Sequence, residues 1–204
     1  MWSGIRTFAD CMHLLSFIII IYKLVSQRNS KGVSLKTQEI YLVVFCSRYL
    51  DLFFYYISFY NTFMKISFIS CTIVIIYLIR LRPGISETYS KDDDDLPHQY
   101  LFLFAIIAAL IVHTQFSWWE MTWSFSLWLE AVAIFPQINV LTKLGGAEAF
   151  ILHYIAALGS YRFFYILFWA YRYSTDGYIC WTSVLSGILQ VALYVDFFVL
   201  YIKK

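Results

Sequence analysis

The chain has 204 residues, of which 61% are hydrophobic, 21% aromatic and only 14% charged, with a formal net charge of +2. A soluble domain carries about 25% charged residues, so the composition argues against a soluble globular protein and against a disordered chain. A net charge this small also gives no grip on an anionic polymer such as nucleic acid, and the expected solvent is a lipid bilayer.

A membrane span takes roughly 20 mostly apolar residues. Seven stretches qualify, at about 6–25, 37–59, 63–81, 97–115, 118–140, 149–172 and 178–202. The first carries Arg6 near its start and His13 about a third of the way in, and it ends at Tyr22-Lys23. No small-residue cleavage site follows, so it reads as a permanent span. A polar loop, Ser26 to Gly32, leads to the second span, where Arg48, Asp51 and Tyr55 follow i, i+3, i+7 and so share one helical face. The third span is followed by a loop at 81–96 with Pro83-Gly84 and an acidic run, Asp92 to Asp95. That run lacks the ligand spacing of a calcium loop and reads as a solvated stretch. The fourth span, 97–115, is a connector. On the fifth, Glu120, Trp123 and Glu130 share a face, and Pro136-Gln137 marks a kink near its end. After Gly145-Gly146, the sixth span presents Arg162, Tyr165, Trp169 and Arg172 as one stripe. The seventh has Cys180 near its start and Asp196 towards its end, and the chain closes on Lys203-Lys204.

Cys11, Cys46, Cys71 and Cys180 lie in or beside apolar runs and form no CxxC pair. They support neither a zinc site nor a redox motif and read as buried small hydrophobes. His98, His113 and His153 lie near span ends and take no role.

Gly32 and Arg48 are 16 residues apart, as are Gly146 and Arg162, and the two pairs are offset by 114. Spans 1 to 3 (about 1–82) then correspond to spans 5 to 7 (about 118–202), joined by the connector at about 97–115. An odd connector makes the two three-helix units parallel, the arrangement of SWEET-like and PQ-loop proteins. The expected fold is therefore an all-α membrane protein of seven transmembrane helices in one domain, 1–204. Lys and Arg are distributed ten to three between the two sides, with Lys23, Arg28, Lys31, Lys36, Arg80, Arg82, Lys91, Lys143, Lys203 and Lys204 on one and Arg6, Lys65 and Arg172 on the other. The positive-inside rule puts the richer side in the cytosol, the N-terminus in the lumen and the C-terminus in the cytosol.

A charge inside a span costs roughly 2.5–3.5 kcal/mol on insertion scales and needs a partner or a wet cavity. Three polar and aromatic stripes pointing at one lumenal cavity satisfy that need. Arg48, Glu130 and Arg162 fall near the midplane; Asp51 and Trp123 lie nearer the lumen; Glu120, Arg172 and Arg6 lie at the mouth. Glu130 paired with Arg48 or Arg162 as a purely structural tie is one reading. The other is a ligand with several carboxylates, which arginines bind bidentately. His13 is either a packing residue or a pH switch, since its unperturbed pKa is about 6.5.

Arg48-Tyr49-Leu50-Asp51-Leu52-Phe53 with Tyr60-Asn61-Thr62 closely resembles the second span of the KDEL receptors, the ER lumen protein-retaining receptors. Trp123-Ser124-Phe125-Ser126, Leu129-Glu130-Ala131-Val132-Ala133-Ile134, Pro136-Gln137, His153-Tyr154, Tyr161-Arg162, Trp169, Arg172-Tyr173 and Asp196-Phe197-Phe198 match in order. The loop at 86–97 does not. The resemblance implies a receptor, not an enzyme, without cofactor or metal. It would cycle between Golgi and ER membranes, bind C-terminal Lys/His-Asp-Glu-Leu signals of escaped ER proteins at mildly acidic pH, and release them at neutral pH. It implies that Arg48 takes the terminal carboxylate with Tyr49 assisting, and that Arg6 and Arg172 take the acidic side chains. Asp51, Glu120 and Trp123 would face the basic first residue, and Tyr165 and Trp169 would line the pocket. His13, Tyr161, Glu130 and Arg162 would form the pH network. Asp196 would serve transport, and Lys203 and Lys204 would engage the COPI coat. Phe168 and Cys180 stand where the family has asparagine and aspartate, and the basic tail is short.

A SWEET-like sugar or amino acid transporter would share the fold, so fold does not discriminate. Four arginines, Arg6, Arg48, Arg162 and Arg172, suit a polyanionic peptide better than a sugar. An intramembrane enzyme lacks a visible nucleophile–base pair or metal set.

Overall fold

The computed structural model describes the backbone of residues 2–202 and the side chains of residues 4–197 and 199. Lys203 and Lys204 lie outside the described residues. Among the described residues eight α-helices follow one another: α1 (Trp2–Gln27), α2 (Leu35–Arg48), α3 (Phe59–Leu81), α4 (Gln99–Ile111), α5 (Trp118–Val132), α6 (Phe135–Leu144), α7 (Ala149–Asp176) and α8 (Trp181–Ile202). Two 3₁₀ turns, Leu50–Phe53 and Ser86–Thr88, interrupt the connections. Among the described residues, four stretches are long and apolar enough to cross a membrane: Gly4–Gln27, Phe59–Leu81, Trp118–Leu144 and Ala149–Asp176. The fold is all-α, as expected for a multi-pass membrane protein. Its outer surface is rich in exposed Phe, Tyr, Ile and Leu, including Phe53, Tyr56, Phe59, Phe116 and Trp118, an apolar exterior that a soluble protein of this size does not present.

The second span departs from expectation. The helix stops at Arg48 rather than running to 59. Tyr49 caps it, a 3₁₀ turn carries Asp51, and the N–H groups of Phe54 and Tyr55 both fold back onto the Asp51 carbonyl. Residues 53–57 are exposed aromatics and Ile, bulky groups that lose rotamer freedom in a helix and have no interior face to repay it. Ser58 then opens α3, its Oγ accepting the Asn61 N–H at 3.2 Å. Arg48, Asp51 and Tyr55 therefore do not share a helical face.

The kink in the fifth span is where Pro136 predicts it. Between α5 and α6 the chain turns at Ala133-Ile134, with Pro136 in the first turn of α6, where its missing N–H costs nothing. The freed Gln137 N–H donates instead to Thr37 Oγ1 of α2, at 3.0 Å. The Gln137 side chain continues the tie, accepting from Ser34 N at 2.9 Å and donating to the Gly32 carbonyl at 2.6 Å. On the other half of the molecule the buried Lys23 donates to the carbonyls of Asn29 (3.0 Å) and Lys31 (2.7 Å) and faces Glu148 at 3.7 Å. Ser34 and Glu148 are the N-cap residues of α2 and α7, so α6 holds the start of α2 and α1 holds the start of α7.

The helix contacts pair up in the same way. α1 packs on α7 and α2 on α5; α1 packs on α3 and α5 on α8; α2 packs on α3 and α7 on α8. Exchanging α1 with α5, α2 with α7 and α3 with α8 maps this set onto itself, and α4 attaches to α5. The glycine half of the sequence repeat is less exact. Gly32 has φ +80°, and a Cβ there would lie 2.7 Å from Ile151 Cδ1, whereas Gly146 meets nothing and the left-handed residue beside it is Gly145. Gly32→Ala is expected to cost about 1–3 kcal/mol in backbone strain and to lower the thermal midpoint of the detergent-solubilised protein by several degrees; Gly146→Ala should leave it unchanged.

Two further readings are corrected. The acidic run is not simply solvated. Asp94 is buried and accepts hydrogen bonds from Ser34 Oγ (2.9 Å), Lys36 N (3.1 Å) and Tyr89 Oη (2.8 Å). Asp95 pairs with Lys143 at 2.7 Å and accepts from Asn139 at 3.1 Å. Those two partners hold the Asp95 carboxyl below its ordinary value, so this contact is present above the usual Asp range and is lost as pH falls through that lowered value. The loop thus ties the start of α2 to α6. The cysteines are not core residues either: Cys11 and Cys46 are exposed, and Cys71 and Cys180 are partly exposed.

Candidate functional site

At the end of the molecule opposite these ties, a cavity of about 340 Å³ opens between α1, α2, α3, α5, α7 and α8. Helix periodicity builds its walls. Arg6, Asp10 and His13 recur at i, i+4, i+7 on α1, and Arg162, Tyr165, Trp169 and Arg172 form one stripe on α7. Arg48 and Tyr49 enter from the broken end of α2, Tyr60 and Lys65 from α3, Trp123 from α5 and Ser183 from α8.

Glu130 is the buried centre. Its Oε2 lies 2.5 Å from Arg48 Nη1 and 2.5 Å from Arg162 Nη2, and Tyr161 donates its hydroxyl to Oε1. The Tyr161 oxygen in turn accepts from Arg162 (2.8 Å) and from Gln190 Nε2 (3.1 Å). Arg48 is anchored further by Ser126, through Nε to the hydroxyl at 3.1 Å and Nη2 to the carbonyl at 3.0 Å. Two guanidiniums thus counter the charge of one carboxylate and a tyrosine hydrogen-bonds it, and such pairing is how a buried charge is tolerated. Sequence reasoning left open whether Glu130 pairs with Arg48 or Arg162; it pairs with both.

His13 is buried and stacks flat on Tyr161, ring centroids 3.9 Å apart and planes 2° from parallel. Phe17, Phe45 and Phe68 surround its other sides. Its Nε2 is buried with no hydrogen-bond partner. A buried imidazole nitrogen without a partner is costly, and this one sits beside the Tyr161–Glu130 pair.

The remaining charges are also matched. Lys65 pairs with Asp51 and stands 5.6 Å from the centre of the Tyr49 ring. Arg172 lies 3.6 Å from Asp176 and over the Tyr178 ring at 4.8 Å. Asp10 accepts from Tyr60 Oη at 2.8 Å and from Tyr165 Oη, and faces Arg6 Nε at 3.9 Å. Of the sequence-named residues, Arg6, His13, Arg48, Tyr49, Trp123, Tyr161, Arg162, Tyr165, Trp169 and Arg172 line the cavity together. Asp51 and Glu130 stand behind the lining as counter-ions. Glu120 sits in the first turn of α5, outside the lining, and Asp196 is exposed on α8 away from it.

Several contributors were missed. Asp10 completes the α1 stripe and was legible from its spacing to Arg6 and His13. Lys65 and Tyr60 were hidden because the face of α3 could not be phased without knowing where α2 ends. Gly187 is a third kind: a Cβ there would approach the Trp169 ring to 2.8 Å, a contact no pattern in α8 announces. Among the described residues no three His, Cys, Asp or Glu side chains cluster to hold a metal. The cavity offers guanidinium, ammonium and hydroxyl donors, groups that bind carboxylates.

The family model of the ER lumen protein retaining receptor matches residues 29–172, from the loop before α2 through Arg172. The ER lumen protein-retaining receptor A of Arabidopsis thaliana is 43% identical over 197 residues, 96% of this chain and 92% of that protein. The chain belongs to the ER lumen protein-retaining receptor family, the KDEL receptors. The receptor erd-2.2 of Caenorhabditis elegans is likewise 43% identical over 98% of this chain and 92% of its own length. That of Plasmodium falciparum is 44% identical over 95% and 89%. Membership makes this a receptor rather than an enzyme.

Proposed function

We propose that this receptor binds the C-terminal KDEL/HDEL-type signals of escaped ER lumenal proteins in the acidic Golgi, returns them to the ER by retrograde vesicles, and releases them at neutral pH. The observation that carries the reading is the cavity itself: among the described residues, Arg6, Arg48, Arg162, Arg172 and Lys65 line it, and Asp10 is the only carboxylate in that lining. A Lys-Asp-Glu-Leu terminus brings three carboxylates and one ammonium, and its carboxylates suit the cations of that lining in exchange for their internal partners.

The residues take the following parts. Arg48 receives the terminal carboxylate, with Tyr49 beside it. Arg6 and Arg172 receive the two acidic side chains. Trp123, Asp51 and Glu120 face the basic first residue, and Tyr165 and Trp169 wall the pocket. Glu130 pairs with Arg48. Protonation of His13 places a positive charge next to the Tyr161–Glu130 pair, draws the carboxylate towards His13 and Arg162, and leaves Arg48 for the ligand. Binding then takes up a proton, so affinity rises as pH falls. Asp196 and the C-terminal Lys203 and Lys204 serve transport, the lysines by engaging the COPI coat.

In the membrane, the chain is read as seven spans in two parallel three-helix units, about 1–82 and about 118–202, with a connector between. The paired helix contacts and the equivalent placement of Arg48 and Arg162 on Glu130 support this. The excess of Lys and Arg at the end held by Lys23, Gln137 and Asp94 supports a cytosolic C-terminus and a lumenal mouth. Isothermal titration with the tetrapeptide and its C-terminal amide across mildly acidic to neutral pH tests the reading. The free acid is expected to bind more tightly as pH falls and the amide to bind at least about 100-fold more weakly. Equal binding of acid and amide would remove Arg48 from its assigned part.

A further inference from the structure

Each cation lining the cavity already faces a carboxylate of the protein. Arg48 and Arg162 share Glu130, Lys65 holds Asp51, and Arg172 faces Asp176. Arg6 faces Asp10, its Nε 3.9 Å from Oδ2, with the arginine half-exposed and the aspartate nearly buried. Ligand carboxylates must therefore exchange with internal ones. Asp10 differs from the other three because it lines the cavity. It differs also in how it is held. Both of its oxygens accept tyrosine hydroxyls, Oδ2 from Tyr60 and Oδ1 from Tyr165. These come from α3 and α7, so the carboxylate is fixed from two sides and stays satisfied when Arg6 moves away. Arg6, by contrast, is placed on the first turns of α1 with its side chain half-exposed.

We infer that Asp10 is an internal competitor for Arg6: a carboxylate built into the pocket that weakens ligand binding by occupying the guanidinium an acidic side chain of the peptide needs. It acts through Arg6 and is a positioning residue, not a ligand contact. The consequence is a receptor set below its attainable affinity, which favours release. This rests on the tetrapeptide reading of the site.

The test is titration of the tetrapeptide at one mildly acidic pH into the wild type, Asp10→Asn, Arg6→Ala and the double variant. Asparagine keeps the size and can still hydrogen-bond both tyrosines, while removing the charge. A partly exposed pair is worth about 0.2–1 kcal/mol, so Asp10→Asn is expected to bind about 1.4- to fivefold more tightly. In the Arg6→Ala background the same change should give no gain, which a general effect on packing would not reproduce. Asp10→Ala, which removes the carboxylate altogether, should shift affinity in the same direction and serves if the asparagine variant cannot be purified folded. Peptides with either acidic residue changed to its amide give an independent arm: the gain should vanish for the one whose side chain Arg6 takes. Unchanged or weaker binding by Asp10→Asn would overturn the inference. Loss confined to peptides with a basic first residue would make Asp10 a direct contact for that residue and overturn it too. If the wild type fails to bind the tetrapeptide, the receptor reading falls and this inference with it; if the wild type binds and Asp10→Asn gains nothing, the inference alone falls.

Discussion

Arg48→Ala is expected to lose tetrapeptide binding by more than about 100-fold, with the protein still folded. Truncating one partner of a buried, hydrogen-bonded charge pair costs 2–5 kcal/mol or more, because the other charge is left bare. Here the bare group would be the ligand's terminal carboxylate. The apo protein is cushioned, since Glu130 keeps Arg162 at 2.5 Å and the Tyr161 hydroxyl. Arg48→Lys refines the experiment. Arg48 uses Nε and Nη2 on Ser126 and Nη1 on Glu130, a fork that an ammonium cannot reproduce. Lysine should therefore restore only a small part of the affinity. Titration calorimetry reads the loss, and a thermal melt in the same detergent shows whether the fold survives. Affinity retained in Arg48→Ala would move the carboxylate elsewhere in the cavity.

His13→Phe should flatten the pH response. Phenylalanine preserves the flat stack on Tyr161 and the apolar contacts to Phe17, Phe45 and Phe68, so only the titrating nitrogen is lost. A switch of one proton supplies at most about tenfold in affinity per pH unit, and that slope should fall to near zero. The sign is fixed by the charges: the ligand is anionic, so the protonated imidazole accompanies the bound state, and affinity falls as pH rises. A variant that kept the full slope would put the switch on a group other than His13.

The arginines, the glutamate and the aromatic stripes were readable from helical spacing because α5 and α7 run unbroken through the site. The same logic failed on α2. Hydropathy counts Phe53 to Phe59 as span, but a helix there would have had nothing to pack against, and the chain turned instead. That error misplaced Tyr55 and concealed the face of α3 from which Lys65 and Tyr60 reach the cavity. Composition also misread Asp94. Four aspartates in a row look solvated, yet one side chain points inward to the start of α2, and only the tertiary path of the loop selects which. Glu130 was legible as a candidate counter-ion but not as a shared one, because sequence offers pairs and the fold makes a triad.

The abrupt end of α2 has a consequence for how an empty receptor stays intact. Arg48 is the last helical residue, where unpaired carbonyls sum to about half a negative elementary charge. Were the helix to continue, that negative pole would lie a turn or more beyond the guanidinium. Ended where it is, the backbone itself supplies part of a counter-charge to Arg48. On the proposed exchange, in which Glu130 swings away before a peptide arrives, the arginine is not left bare in a hydrocarbon setting. Exchange of one carboxylate for another then proceeds over a partly compensated state, and the pocket can cycle between filled and vacant without collapsing.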